Sequence, residues 1–384
     1  MTVKTKAFQD ENILETAQAV MKRGPTCDHC LGRQLAHVST GMTNDERGKL
    51  IRKMTGMKKV RGKCIVCGDI FDKLEDYADK ASSRLGKIEF STFLVGTVMS
   101  PGLVSSEESL WEDVGIEYCE PLKSELNREL GKLIYDRIKK EVSQERPDVL
   151  VMLNLKKERV ELDVSSFFVK GCYRKLVRGI PQTKWEKYDE TVEDIIASPF
   201  MLASGGSGHS LHAAGREDID ARCLGCRPFV LEIKEPRKRS LDLVKMGKDV
   251  AKSKKVEVSG LEPASKNDVI DVKSMRNDKS YSVVVSFEKP VKGIEKIKNI
   301  TAVEQRTPSR VSHRRADLVR KRKVISLSWK KINNKKFELQ IKGEAGLYIK
   351  ELVTGDSGRT KPSFAEVLGN PAKVESLDVT RIWE

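Results

Sequence analysis

The sequence predicts a chain of α+β and mixed α/β class, with a small cysteine-bearing module ahead of two sheet-containing parts. Three observations predict it. Two Cys-x-x-Cys pairs, Cys27/Cys30 and Cys64/Cys67, lie among helical stretches in the first 80 residues. A periodic helical stretch at 120–142 separates strand-like runs at 87–99 and 148–175, the pattern of a small α+β or α/β domain. Most of the chain beyond residue 270 is strand-like, at 272–287, 323–332, 336–350 and 375–382. The boundaries expected are 1–80, 81–180 and 181–384.

Taken in order, NILETAQAVMKR at 12–23 places Ile13, Leu14, Ala17, Val20 and Met21 on one helical face, and Gly24-Pro25 stops it. TNDERGKLIRKMTG at 43–56 opens on a cap signal and ends at Gly56. DKLEDYADKASSRL at 72–85 reads as an exposed helix leading out of the cysteine module. Leu122, Leu126, Leu130, Ile134 and Ile138 recur at helical spacing within 120–142. The segment KLVRGIPQTKWEKY at 175–188 is basic and proline-interrupted, with Trp185 and Tyr188 beside its lysines, and marks the second boundary.

Composition narrows the function classes. The 384 residues carry 71 Lys+Arg against 56 Asp+Glu, a formal charge of +15. The longest apolar stretch, VLVMLNL at 149–155, falls far short of the ~20 residues that span a bilayer. Acids interrupt the first 20 residues, where a signal peptide needs a continuous apolar run. A reducing cytoplasmic setting is therefore expected, and paired cysteines there suggest a metal before a disulfide. The positive charge points to an acidic polymer, nucleic acid above all. It concentrates in RTPSRVSHRRADLVRKRK at 306–323, which holds Arg306, Arg310, Arg314, Arg315, Arg320, Lys321, Arg322 and Lys323 against one acid.

Two Cys-x-x-Cys knuckles supply the four thiolates that tetrahedral Zn²⁺ takes in a closed, structural site. Cys27, Cys30, Cys64 and Cys67 are the expected ligands, with a helix in the 33-residue gap and Gly32 and Gly68 suited to the knuckle turns. His29 and His37 are expected at the surface. Cys223 and Cys226 read as small residues of a strand–turn segment, and Cys119 and Cys172 as isolated thiols.

GHSLHAAGREDIDARCLG, followed by RPFVLEIKEP, resembles the catalytic loop of pseudouridine synthases, whose essential acid is an aspartate in an Arg-x-Asp setting. That resemblance makes Asp218, rather than Asp220, the catalytic residue, with Arg216 beside it at the substrate. DKSYSVVV has Tyr281 where these enzymes keep an aromatic that covers the target base. GLYIKELVTGD resembles their G-x-Y-I-K/R motif, so Lys350 would pair with the catalytic aspartate and Ile349 pack beside it. ESLDVTRI would supply the apolar Leu377. With RTPSRVSHRRAD and KLVRGIPQTKW, these stretches are similar to the archaeal and eukaryotic enzymes that modify uridines 54 and 55 of the tRNA T arm, the tenth family of the class. The cysteine module and following domain are similar to that family's THUMP-containing accessory region, and the resemblance covers almost the whole chain. There are two departures: LGCRPF is one residue shorter than the family pattern, and TGD at 354–356 stands in place of HGD.

The resemblance implies a catalytic domain on an extended mixed sheet and an isomerase acting on flipped uridine 55, and on 54 as well. Arg310, Arg314 and Arg315 would help bind the RNA. It implies no cofactor for catalysis, no nucleotide cofactor and no membrane, with tRNA as partner of a monomeric chain. The other reading is a non-catalytic, zinc-containing tRNA-binding or chaperone protein.

Overall fold

A computed structural model of the chain describes Phe8, residues 10–314 and residues 316–383, without the side chain of Arg314. It divides into two compact units, residues 1–165 and 166–384.

The first unit begins with helices α1 (Glu11–Lys22), α2 (Asp28–Gln34), α3 (Asn44–Thr55) and α4 (Leu74–Leu85). Strand β1 (Thr92–Val98) and helices α5 (Pro101–Val114) and α6 (Leu122–Ile138) follow. Strands β2 (Glu141–Val142), β3 (Val149–Asn154) and β4 (Arg159–Val164) complete it. Its sheet has the order β2-β1-β3-β4, parallel except between β3 and β4. Thr43 and Glu46 form a reciprocal capping box on α3, and Gly56 ends that helix at φ 67°. The expected apolar face of α1 is buried at Ile13, Ala17, Val20 and Met21.

Two expectations change here. Helix α4 is not exposed: Leu74, Tyr77, Ala78, Ala81 and Leu85 fall on one face and are buried. Nor is the cysteine module a separate body, because one apolar core runs from Phe8 through Met21, Cys30 and Leu74 to Leu126 and Val151. Buried and half-buried polar pairs cross the same region. Arg33 donates to Glu107, and Asn44 Nδ2 donates to Glu120 Oε2 at 2.7 Å.

The second unit starts with β5 (Phe167–Lys175), α7 (Val192–Ser204), β6 (Gly208–Ala213) and β7 (Arg222–Lys234). Next come α8 (Leu243–Ala251), β8 (Val256–Ala264), α9 (Lys266–Ser274) and β9 (Lys279–Phe287). Then follow β10 (Ala302–Arg306), β11 (Val319–Lys331), β12 (Lys336–Gly343), α10 (Ile349–Thr354), β13 (Thr360–Lys361), α11 (Phe364–Leu368) and β14 (Ala372–Ile382). The sheet is ten-stranded and mixed, in the order β13-β10-β11-β12-β9-β14-β7-β5-β8, with β6 also on β7. Strand β5, expected in the accessory region, belongs here because its two edges pair with β7 and β8. The boundary therefore falls at residue 165, not 180. Residues 319–323 of the basic run lie in strand β11.

The sheet has an irregular middle that positions the site. Strand β7 meets β14 in parallel over only two residues, Arg222↔Asp378 and Cys223↔Val379. Gly225 is required there, since a Cβ on it would lie 2.8 Å from the Arg381 Cα. On its other side β14 is antiparallel to β9, which brings Val379 opposite Tyr281 and Leu377 opposite Val283.

Candidate metal centre and candidate active site

The four sulfurs of Cys27, Cys30, Cys64 and Cys67 all lie within 4.8 Å of one another. A tetrahedral ion with metal–sulfur bonds of about 2.3 Å needs sulfurs about 3.8 Å apart, so four thiolates fit here around one ion. Backbone geometry builds each knuckle. Gly68 (φ 59°) and Asp69 (φ 60°) turn the second one, and Asp69 Oδ1 accepts from Cys64 N at 2.9 Å. Ile65 N donates to Pro25 O at 2.8 Å and ties the two knuckles together. Gly32 has another purpose than the expected turn. It is helical, and a Cβ on it would lie 1.8 Å from Asn44 O, so it lets α2 and α3 pack backbone to backbone. His29 is not a plain surface residue either. Its ring stacks on Phe71 at 4.0 Å and its Nδ1 lies 2.9 Å from Glu125 Oε1.

In the second unit, the residues between β6 and β7 form a loop at the mouth of a cavity of about 590 Å³. Gly215 (φ 81°) begins it, and side chains alternate from there. Arg216 is exposed at the rim, Glu217 is buried beneath, and Asp218 faces the cavity. Tyr281, Leu377, Ile349 and Lys350 line the same cavity, so the structure brings together residues far apart in sequence. Tyr281 and Leu377 reach it from neighbouring strands, and Lys350 from the first turn of α10.

Asp218 is bracketed by two cations. Arg310 Nη1 donates to Oδ1 at 2.8 Å, and Lys350 Nζ lies 3.3 Å from Oδ2. Burial pushes the carboxyl upward, but Arg310 and then Lys350 outweigh it, leaving it below the ordinary aspartate value. Lys350 does not serve Asp218 alone. Its ammonium is nearer to Asp220, at 2.8 and 2.7 Å from the two oxygens. Asp220 is 68% exposed against 29% for Asp218, so water screens the shorter pair. Burial raises the Tyr281 hydroxyl above its usual range, keeping it neutral, and pushes Lys279 in the same cavity down to about 8.

Beneath the loop lies a cluster that sequence reading missed. Tyr173 donates its hydroxyl to Glu217 Oε2 at 2.9 Å, and Arg227 Nε lies 3.0 Å from the same oxygen. Lys175 Nζ donates to the carbonyls of Ile180, Asp218 and Ile219 at 3.0, 3.1 and 3.3 Å. Gln182 bridges the Tyr173 hydroxyl and Gly215 O. All five side chains are buried, so the loop rests on a hydrogen-bonded ionic base. Arg178 clamps the far end, donating to Asp220 O and Leu377 O at 2.8 Å and to Asp378 Oδ1 at 2.6 Å. The sequence signal is KLVRGIPQ, the basic, proline-interrupted segment expected to mark the second boundary.

The basic run is less open than its composition suggests. Arg306 pairs with Asp317 at 2.6 Å and Lys321 with Glu304 at 3.2 Å, while Arg310 is engaged at Asp218 and Glu351. Arg314's side chain and Arg315 lie outside the described residues. His209 and His212 are on strand β6 beside Glu193 and Glu232. Cys172 and Cys226 are joined as a disulfide, correcting their reading as an isolated thiol and half of a turn pair. The cause is register: β5 and β7 place Cys172 opposite Pro228 and Tyr173 opposite Arg227, and the two cysteine Cα atoms are 5.3 Å apart.

Comparisons with known proteins bear on this site. The family model "Pus10, C-terminal" matches residues 168–382, and "Pus10 THUMP domain, archaeal" matches residues 77–154. A tRNA pseudouridine synthase Pus10 of Methanothrix thermoacetophila is 40% identical, over 96% of this chain and 94% of its own. The one from Pyrococcus furiosus is also 40% identical, over 97% and 98%. The chain belongs to the Pus10 family. As a Pus10 protein it is an enzyme of the pseudouridine synthase class, an isomerase, with a THUMP domain in its first unit. Among solved structures, a chain of a Cbf5-Nop10-Gar1 complex overlaps with a TM-score of 0.34 at 16% identity, covering 55% of this chain and 48% of that one. Among the described residues, no helix is long and apolar enough to cross a membrane.

Proposed function

We propose that this Pus10 protein isomerises uridine 55, and also uridine 54, in the T arm of tRNA, with Asp218 as nucleophile. The observation that carries the reading is the ionised Asp218 facing a cavity shared with Tyr281 and Leu377, with a cation beside each of its oxygens. The reaction breaks the C1′–N1 bond of uridine and forms a C1′–C5 bond. C5 gives up its proton and N1 gains one, so no atom or electron is gained or lost overall. Asp218 attacks either the ribose or the pyrimidine ring, and both routes detach, turn and rejoin the base. Lys350 favours the ionised carboxylate by its charge. Tyr281 stacks on the uracil, and Ile349 and Leu377 close the apolar wall around it. Flipping the base costs a few kcal/mol, and Arg216, with the basic residues at 306–323 other than Arg310, offsets it at the phosphates. Cys27, Cys30, Cys64 and Cys67 hold a structural Zn²⁺, which fixes the two knuckles and takes no part in the isomerisation. The protein acts as a cytoplasmic monomer and needs no nucleotide.

The test is to incubate unmodified tRNA transcript with the protein and with Asp218→Asn, then map pseudouridine by carbodiimide-stop sequencing. Product at 55 and 54 from the first and none from the second, with tRNA binding kept, is the expected result. An active Asn variant sinks the assignment of Asp218, and an inactive wild type that still binds tRNA favours the non-catalytic reading.

A further inference from the structure

Arg310 has more built around it than a phosphate-binding surface residue needs. It sits on a short turn, Ser309–Arg314, between strands β10 and β11. The start of that turn is tied down by Asp356, which accepts from Ser309 N at 2.9 Å and from the Ser309 hydroxyl. Asp356 is the acid of the TGD sequence just after α10, held at φ 44°. The guanidinium is held separately. Its Nε donates at 2.7 Å to Glu351 Oε1, a carboxylate only 5% exposed on α10 itself. Among the described residues the second oxygen of Glu351 has no hydrogen-bond partner, and Arg310 is the cation that offsets the burial of this carboxylate. One segment thus delivers both cations of Asp218, Lys350 directly and Arg310 through Glu351 and Asp356.

We infer that Arg310 is a positioning residue for Asp218, a second cation that fixes which carboxylate oxygen faces the pocket, held in place by Glu351 and Asp356. The inference rests on the reading of Asp218 as nucleophile and deepens it. Lys350 alone would hold the carboxylate loosely, because its ammonium is shared with Asp220 and can rotate between the two. A guanidinium already fixed at Nε presents Nη1 in one direction and removes that freedom. Among the described residues, Arg310 and Lys350 contact Asp218, with Asp220 and Glu351 behind them; Arg216, Glu217, Arg227, Arg276, Lys279, Tyr281, Arg322 and Tyr348 are the other titratable or charged groups lining the cavity.

The experiment compares full-length wild type with Arg310→Gln, Arg310→Lys and Glu351→Gln. It measures single-turnover pseudouridine formation on saturating tRNA transcript between about pH 4 and 8, with tRNA affinity measured as a function of salt. Positioning predicts a loss on the order of 10- to 100-fold in the saturated rate for Arg310→Gln. It also predicts an acid limb moved to higher pH, since one cation no longer favours the ionised carboxylate. Affinity and its salt slope should stay near wild type. Arg310→Lys should recover the position of the acid limb but only part of the rate, and Glu351→Gln, with Arg310 still present, should fall between. A phosphate contact would instead lower the salt slope by about one and weaken binding, with the saturated rate and acid limb unchanged. That result overturns the inference. Melting curves identify a misfolded variant, in which case Arg310→Lys and Glu351→Gln decide by the same two readouts. If wild type forms no product, or Asp218→Asn does, the reading of Asp218 has failed rather than that of Arg310.

Discussion

The cysteine cluster and the Asp218 pocket are both assembled from segments far apart in sequence, yet they are built on opposite principles. At the cysteines, four identical ligands converge, and each knuckle is nearly complete within its own few residues: Cys27 with Cys30, Cys64 with Cys67. At Asp218 every group is different, and none is oriented by its own segment. The loop from Gly215 to Ala221 rests on Lys175, Tyr173 and Gln182 from before it, on Arg227 after it, and on Arg178 at its end. The first site would be held by an ion, and the second by buried protein charges. A metal site is therefore lost when its ion leaves, whereas the pocket is lost when any one buried partner does.

That contrast can be broken most directly at the metal. Structural zinc binding in small modules is worth about 10–16 kcal/mol, so removal by chelator, or Cys64→Ser, should unfold the helices around the cysteines. Metal analysis should find one ion per chain before treatment, and circular dichroism should show helix loss afterwards. Unchanged melting would mean that the apolar core of the first unit suffices alone. Next in size is Glu217→Gln. It leaves Arg227 and Lys175 buried without their carboxylate and should cost about 3–5 kcal/mol in denaturant unfolding. A neutral result would show that the loop does not rest on charge.

The effect of acid is smaller. Asp218 has its carboxyl lowered in the folded protein, burial being outweighed by Arg310 and Lys350. A depressed carboxylate contributes stability that is fully present above its unfolded value of about 3.9. That contribution is lost as pH falls through the lower folded value. Acid unfolding of Asp218→Asn should accordingly be less steep than that of wild type. Smallest of all is Asp220→Asn, whose carboxylate is mostly in water. The cost should be about 0–1 kcal/mol, and product formation should survive. A large loss would reverse the roles of the two aspartates.

The residues lining the pocket were largely legible, because motifs mark chemistry where it sits. Arg-x-Asp, DKSY, GLYIK and ESLDV all placed residues at a single cavity. Their supports were not legible. Nothing in the basic, proline-interrupted segment marks Lys175 and Arg178 as supports, because a basic residue at a proline-broken turn is usually solvated, and only pairing on both edges of β5 buries Lys175. Glu351 and Asp356 are acids beside a basic motif, and nothing in their spacing says that they hold Arg310. The Cys172–Cys226 disulfide was invisible for a related reason, since it depends on which residues of β5 and β7 face each other.

Sequence alone determined the class, grouped the four cysteines and pointed to the carboxylate that faces the cavity, since ligand type, local spacing and motif order survive without knowledge of the fold. Tertiary structure decided what those groups do to one another. It divided the chain at residue 165, made one core of the cysteine module and the segment after it, and let Lys350 share itself between two aspartates. The +15 charge shows the same division. Its sign was there to read from the start. Which of its cations face water, and which are held against buried carboxylates, depends on strand register and burial, and these exist only once the chain has folded.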